Sequence, residues 1–207
     1  MLKHKVKKYF GLVTTKGDFG IEVEMETLNE LSIYDPMVFN TWSVENDGSL
    51  KGWGSEFVLN KPCKLEDVEN VLSIIKDDLN ASDNAILQSI RAGVHVHLNM
   101  QECTLADVFK LMVVYYPLET VLHKFCGDGR EGNLFCLRNQ DAEEHLLRIE
   151  EAVEQNDMYL LQGDIFRYAA LNLQSLFKFG TVEFRSLGTD PNLEKIYPWV
   201  EIISKLK

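Results

Sequence analysis

Three short stretches of clear two-residue alternation restrict the fold more than anything else in the chain: Gly20-Ile-Glu-Val-Glu-Met-Glu26, Gly93-Val-His-Val-His-Leu-Asn99 and Thr181-Val-Glu-Phe-Arg-Ser-Leu187. Side chains of a strand project alternately to its two faces, so each stretch carries one apolar row and one polar row. Strands of this kind must bury the apolar row against another layer and leave the polar row open. Ser55-Glu-Phe-Val-Leu-Asn60 is a fourth candidate strand. It follows Trp42-Ser-Val44 and Asn46-Asp-Gly-Ser49, whose Asp-Gly pair is a strong turn signal, so the two runs are expected to close a loose hairpin.

Between the strands the spacing is helical. Leu65, Val68, Val71, Leu72, Ile75 and Leu79 form one amphipathic stripe, and Thr104-Leu-Ala-Asp107 resembles a capped helix start leading into an apolar segment that Pro117 should kink. Residues 141–156 read as an acidic helix and 165–177 as a further one. Asp190-Pro191 offers an N-cap and first-turn proline for a last helix through Ile203, interrupted at Pro198. A length of 207 residues suits one sizeable core, and no repeat or linker divides it. The expectation is therefore α+β, with helices packed on one face of a mainly antiparallel sheet. One domain over 20–207 would follow a basic arm or edge strand at 1–19.

The bulk charge and cysteine usage narrow the function classes. A net charge of -11 argues against a nucleic-acid partner, which is bound through Lys and Arg that displace counterions. No apolar stretch reaches signal-peptide or membrane-spanning length, which points to a cytoplasmic protein without a membrane partner. Cys63, Cys103, Cys126 and Cys136 show neither zinc-ligand spacing nor a disulfide framework and read as reduced packing residues.

The polar rows carry the chemistry. Alternation puts Glu22 beside Glu24, His95 beside His97, and Glu183 beside Arg185. Any one pair fits an ordinary exposed strand face, but lysine, the common residue for blunting such a face, is absent from all three. If the strands share a sheet, these groups converge into an acidic, imidazole-bearing surface that repels itself unless cations are bound. Hard oxygen donors of this type select Mg2+ or Mn2+.

The ordered series Gly20-Ile-Glu-Val-Glu24, Asp47-Gly-Ser49 with Gly54-Ser-Glu56, Gly93-Val-His-Val-His97, Arg167-Tyr-Ala-Ala-Leu-Asn172 and Thr181-Val-Glu-Phe-Arg185 resembles the amidoligase family over roughly residues 20 to 203. That family is similar in turn to glutamine synthetase and glutamate-cysteine ligase. The resemblance implies a glutamine synthetase catalytic-domain-like fold and an ATP-dependent carboxylate-amine ligase acting through an acyl phosphate. Its substrates would be small-molecule or peptide carboxylates and amines, and the oligomeric state is left open. It further implies one metal on Glu22, His95 and Glu183 and a second on Glu24 and Glu56, with Asp47 a further candidate ligand. Arg185 and Arg167 would face the phosphates, Glu183 would join them in catalysis, and Asn172 would orient the site. Arg130, in the loop Cys126-Gly-Asp-Gly-Arg130, is a lid candidate whose segment also reads as a plain turn. His97 stays open between ligand and structural residue. Two other readings keep the fold: a phosphotransferase acting on a guanidino group, and a non-catalytic protein that retains the metal cluster.

Overall fold

The computed structural model describes residues 1–130, 133, 136–163 and 167–207. In chain order the elements are α1 (Val6–Phe10), β1 (Phe19–Thr27), α2 (Pro36–Thr41), β2 (Trp42–Glu45), β3 (Trp53–Leu59), α3 (Val68–Ala81), β4 (Ile86–Leu87), β5 (Gly93–Asn99), α4 (Leu105–Cys126), α5 (Glu143–Glu154), β6 (Leu171–Asn172), α6 (Ser175–Lys178), β7 (Thr181–Gly188) and α7 (Ile196–Ser204). The strands form one open sheet in the order β2-β3-β1-β5-β7-β6, with β4 pairing the far end of β1. Among the described residues these strands all pair antiparallel, and one isolated parallel bridge joins Leu137 to Ala169. The α+β architecture and the hairpin between β2 and β3 are as expected.

The apolar rows supply the core. Ile21, Val23 and Met25 of β1, Val94, Val96 and Leu98 of β5, and Val182 and Phe184 of β7 are all buried. Helices α3, α4 and α7 contribute to the same core. The Phe184 ring lies 5.6 Å from Tyr115 of α4 and 6.4 Å from Trp199 of α7. At the β2 edge, the Trp42 indole donates to the Val71 carbonyl of α3 at 3.1 Å. Helix α4 starts at a full capping box: the Thr104 hydroxyl takes the Asp107 N–H and the Asp107 carboxylate takes the Thr104 N–H. Pro117 lies inside α4 without ending it.

Four local expectations are revised. Residues 165 and 166 lie outside the described residues, and beyond them the chain forms edge strand β6 and short α6 rather than a helix to 177. Ala169, Ala170, Leu171 and Leu173 are fully buried, and a short strand buried on both faces shows the same unbroken apolar run as a helix. Asp190 does not cap the last helix. Its carboxylate holds a turn instead, accepting the N–H groups of Asn192, Glu194 and Lys195 at 3.1, 3.2 and 3.2 Å. Helix α7 starts later, so Pro198 falls in its first turn, where a missing N–H costs nothing. The basic start forms α1 and docks on the turn between β5 and α4, with the Val6 N–H bonded to the Cys103 carbonyl at 2.9 Å.

The last revision concerns β7. Its register against β5 passes from Val94↔Leu187 to Val96↔Phe184, so Arg185 and Ser186 together face His95. This β-bulge breaks the alternation. It keeps Glu183 and Arg185 on the open face while returning Leu187 to the core, where it is fully buried. All four cysteines are free. No helix among the described residues is long and apolar enough to cross a membrane.

Candidate functional site

The register lines up the polar rows across five strands. Glu56 of β3 stands opposite Glu24 of β1, Glu22 of β1 opposite His95 of β5, His97 of β5 opposite Glu183 of β7, and Asn172 of β6 opposite Glu183. Cross-strand partners have Cβ atoms roughly 5 Å apart, so the strands need no further device to bring these groups together.

The side chains interlock. His95 Nδ1 lies 3.1 Å from Glu22 Oε2 and 3.7 Å from Glu183 Oε1, and its Nε2 lies 3.6 Å from Glu24 Oε1. His97 Nε2 is 3.2 Å from Glu22 Oε1, and its Nδ1 is 3.0 Å from the Thr181 hydroxyl. Glu183 is held from both sides, by the Asn172 amide at 2.7 Å and by the Arg185 guanidinium. Glu24 accepts the Gly93 N–H at 2.8 Å.

Electrostatics follow from this crowding. Burial works to raise the Glu22 pKa, but hydrogen bonds and charge from His95 and His97 outweigh it and hold the carboxyl well below the usual range. Burial works against the charged form of His97, yet Glu22 and Glu183 outweigh it and raise the imidazole above its ordinary value. Burial first, then the charge of Glu22, pushes Glu56 up to about 7. The negative charges of Glu24 and Asp47 push in the same direction, and His95 opposes them.

Two groups of donors each lie within 4.8 Å of one another: Glu22, His97 and Glu183, and Glu22, Glu56 and His95. Glu22 belongs to both. In the first group His97 stands with Glu22 and Glu183, and in the second His95 joins Glu22 and Glu56 while also lying 3.7 Å from Glu183. Glu24 lies outside both triads, tied to Gly93 and near His95. Asp47 is occupied as a turn cap, accepting from the Ser49 N–H at 2.7 Å and the Ser49 hydroxyl at 2.9 Å.

The arginines take distinct positions. Arg185 and Arg167 line one cleft of about 530 Å3 together with Glu22, His97, Asn172 and Lys178. Arg167 is exposed and lies over the Tyr168 ring at 5.7 Å. Arg130 is buried, with Nη2 donating to the Arg185 carbonyl at 2.8 Å and Nε to the Ser186 carbonyl at 3.3 Å. Its seat requires Gly93, since a Cβ there would sit 2.8 Å from Nη2. The remainder of that glycine-rich loop, residues 131 and 132, lies outside the described residues. Sequence reasoning passed over Thr181, Lys178 and Phe179, whose ring meets His97 edge-on at 5.9 Å. The signal was present for Thr181, which shares the strand parity of Glu183.

The model of a family described as "Putative amidoligase enzyme" matches residues 18–206. No curated protein matches the chain in sequence.

Proposed function

We propose that this chain, which belongs to the amidoligase family, is an ATP-dependent carboxylate-amine ligase whose active site is the open face of the sheet. One observation carries the reading: a donor set suited to divalent ions adjoins a cleft lined by three cations, Arg167, Lys178 and Arg185. A metal site kept for stability alone has no use for phosphate-facing cations beside it. In this reading the sheet corresponds to the catalytic sheet of glutamine synthetase and glutamate-cysteine ligase.

The oxygen and imidazole donors fit hard divalent ions, with Glu22, Glu56, Glu183, His95 and His97 as the holding groups and Glu24 adjacent. Bound Mg2+ or Mn2+ would supply charge neutralisation for the triphosphate. The chain's own residues do the rest. Arg185, Arg167 and Lys178 bind and orient phosphate oxygens, and Glu183 fixes the Arg185 guanidinium against the sheet. A substrate carboxylate oxygen attacks the γ-phosphorus, the bond to ADP breaks and an acyl phosphate forms. An amine nitrogen then attacks the carbonyl carbon, the C–O bond to phosphate breaks with its electron pair leaving on phosphate, and the amine proton passes to solvent. The substrates are small-molecule or peptide carboxylates and amines. A net charge of -11 disfavours a nucleic acid as either.

The reading is tested by incubating the protein with ATP, Mg2+, a panel of amino acids and peptides, and hydroxylamine in place of the amine. Hydroxylamine traps an acyl phosphate as a hydroxamate, so hydroxamate and ADP should appear in equal amounts with the true carboxylate. ADP release that needs no carboxylate, or none with any panel member, would overturn it.

A further inference from the structure

The donor cluster has a second neighbour that the ligase reading leaves unused. On the side away from Arg185, a pocket of about 250 Å3 opens over the same sheet face, walled by Gly20, Val58, Pro62 and Phe179 and bordered by Glu22 and His97. Register explains why it is hollow. Gly20 stands opposite His97, and Val58 stands opposite Glu22, so two small side chains occupy the polar row where the neighbouring strands carry large ones. A Cβ at Gly20 would approach His97 Cβ to 3.3 Å and fill part of the floor.

Charge is segregated between the two spaces. Glu22, His97 and Phe179 line both, but Arg167, Lys178 and Arg185 all line the cleft, and among the described residues no lysine or arginine lines the pocket. Anionic groups, triphosphate and carboxylate alike, are therefore drawn to the cleft. The pocket offers the hydroxyl and amide oxygens of Thr15, Asn60, Asn99 and Thr181 beside its apolar walls, which suits an amino group held by hydrogen bonds and an uncharged side chain against the walls.

We propose that this pocket binds the amine substrate and selects amines bearing an apolar side chain. The proposal rests on the ligase reading for the fate of the amine, but not for its binding. An amine seated there lies next to the cleft where the activated carboxylate would lie, since the two spaces share a border.

Binding separates the two claims. Calorimetric titration of the full chain, with ATP and Mg2+ present, would compare leucinamide with glycinamide, two amines of equal charge that differ in one apolar side chain. Burying a leucine side chain should favour leucinamide by at least about tenfold. V58N, which places an uncharged polar group among the apolar walls, should erase that preference while leaving ATP affinity as in the wild type. F179A, at a residue 47% exposed and outside the core, should reduce the preference severalfold. Equal affinities for the two amines, or a preference that survives both substitutions, would overturn the proposal. Hydroxamate formation without any amine preference would leave the ligase reading standing and sink this one. A preference abolished by V58N with no ADP release under any condition would support the pocket and count against the ligase.

Discussion

Phe184 of β7 sits between Glu183 and Arg185, yet the three residues belong to two regions with opposite demands. The face that takes Phe184 packs it against Tyr115 and Trp199, with no exposure to solvent. The face that takes its neighbours gathers three glutamates, two histidines and an arginine in reach of one another. The helix-covered face gains stability from removing apolar area from water, whereas the open face spends stability on like charges held close together. One strand serves both because its side chains alternate. The bulge at Arg185 and Ser186 adjusts that alternation so that neither region gives up a residue to the other.

The sharpest way to break this comparison is to change adjacent residues on β7. F184A should cost ~3 to 5 kcal/mol of folding stability, the usual range for truncating a buried aromatic. Denaturant unfolding would measure it, and the fraction that remains folded should keep its activity. E183Q should do the reverse, lowering turnover by about two to three powers of ten with a melting temperature at or above that of the wild type. If E183Q melts far below the wild type, the open face is structural and the division drawn between the regions fails.

Arg185 sharpens the comparison further, because its ion pair with Glu183 is compatible with a role in either region. R185K keeps the charge and removes the planar fork that engages two oxygens at once. Single-turnover formation of the acyl phosphate at saturating ATP should slow by about a hundredfold, with little change in ATP affinity. A wild-type rate would assign Arg185 to holding the sheet face together and leave Arg167 as the better phosphate ligand.

How far the sequence could be read follows the same division. The alternating strands were legible because each has one face in the core and one outside it, and that contrast is written directly into Glu22, His95 and Glu183 and their apolar neighbours. The candidate site was legible as far as parity reaches. Which donors cluster depends on register, and register put His97 rather than His95 opposite Glu183. The bulge left a trace in the letters, since two polar residues, Arg185 and Ser186, stand in succession before Leu187, but the pairing with His95 that makes it a bulge depends on register. Strand β6 was misread because Leu171 and Asn172 are buried on both faces and show no contrast at all. The apolar pocket arises from Gly20 and Val58, which carry no chemistry of their own and draw notice only once the register places them beside His97 and Glu22.

The smallest expected effect lies at the far end of the helix-covered region. T104A removes the N-cap of α4 and should cost about 1 kcal/mol without affecting turnover. Its partner Asp107 adds a pH signature. The Thr104 hydrogen bond, then Lys110, lowers the Asp107 carboxyl from its ordinary 3.8 to about 2. A depressed carboxyl stabilises the fold fully above its unfolded value, so this contribution should be intact above about pH 4 and lost as the pH falls toward 2. Unfolding curves of wild type and D107N should converge over that window. A constant gap across it would remove the carboxylate from the cap.

On the proposed function, the open face binds a nucleotide through divalent cations. Coulomb repulsion between a triphosphate and the clustered glutamates should prevent binding without them. Calorimetric titration of ATP into the protein, once with Mg2+ and once with excess chelator, tests this directly. The account predicts saturable binding with Mg2+ and none measurable with chelator, and equal affinities in the two conditions would contradict it.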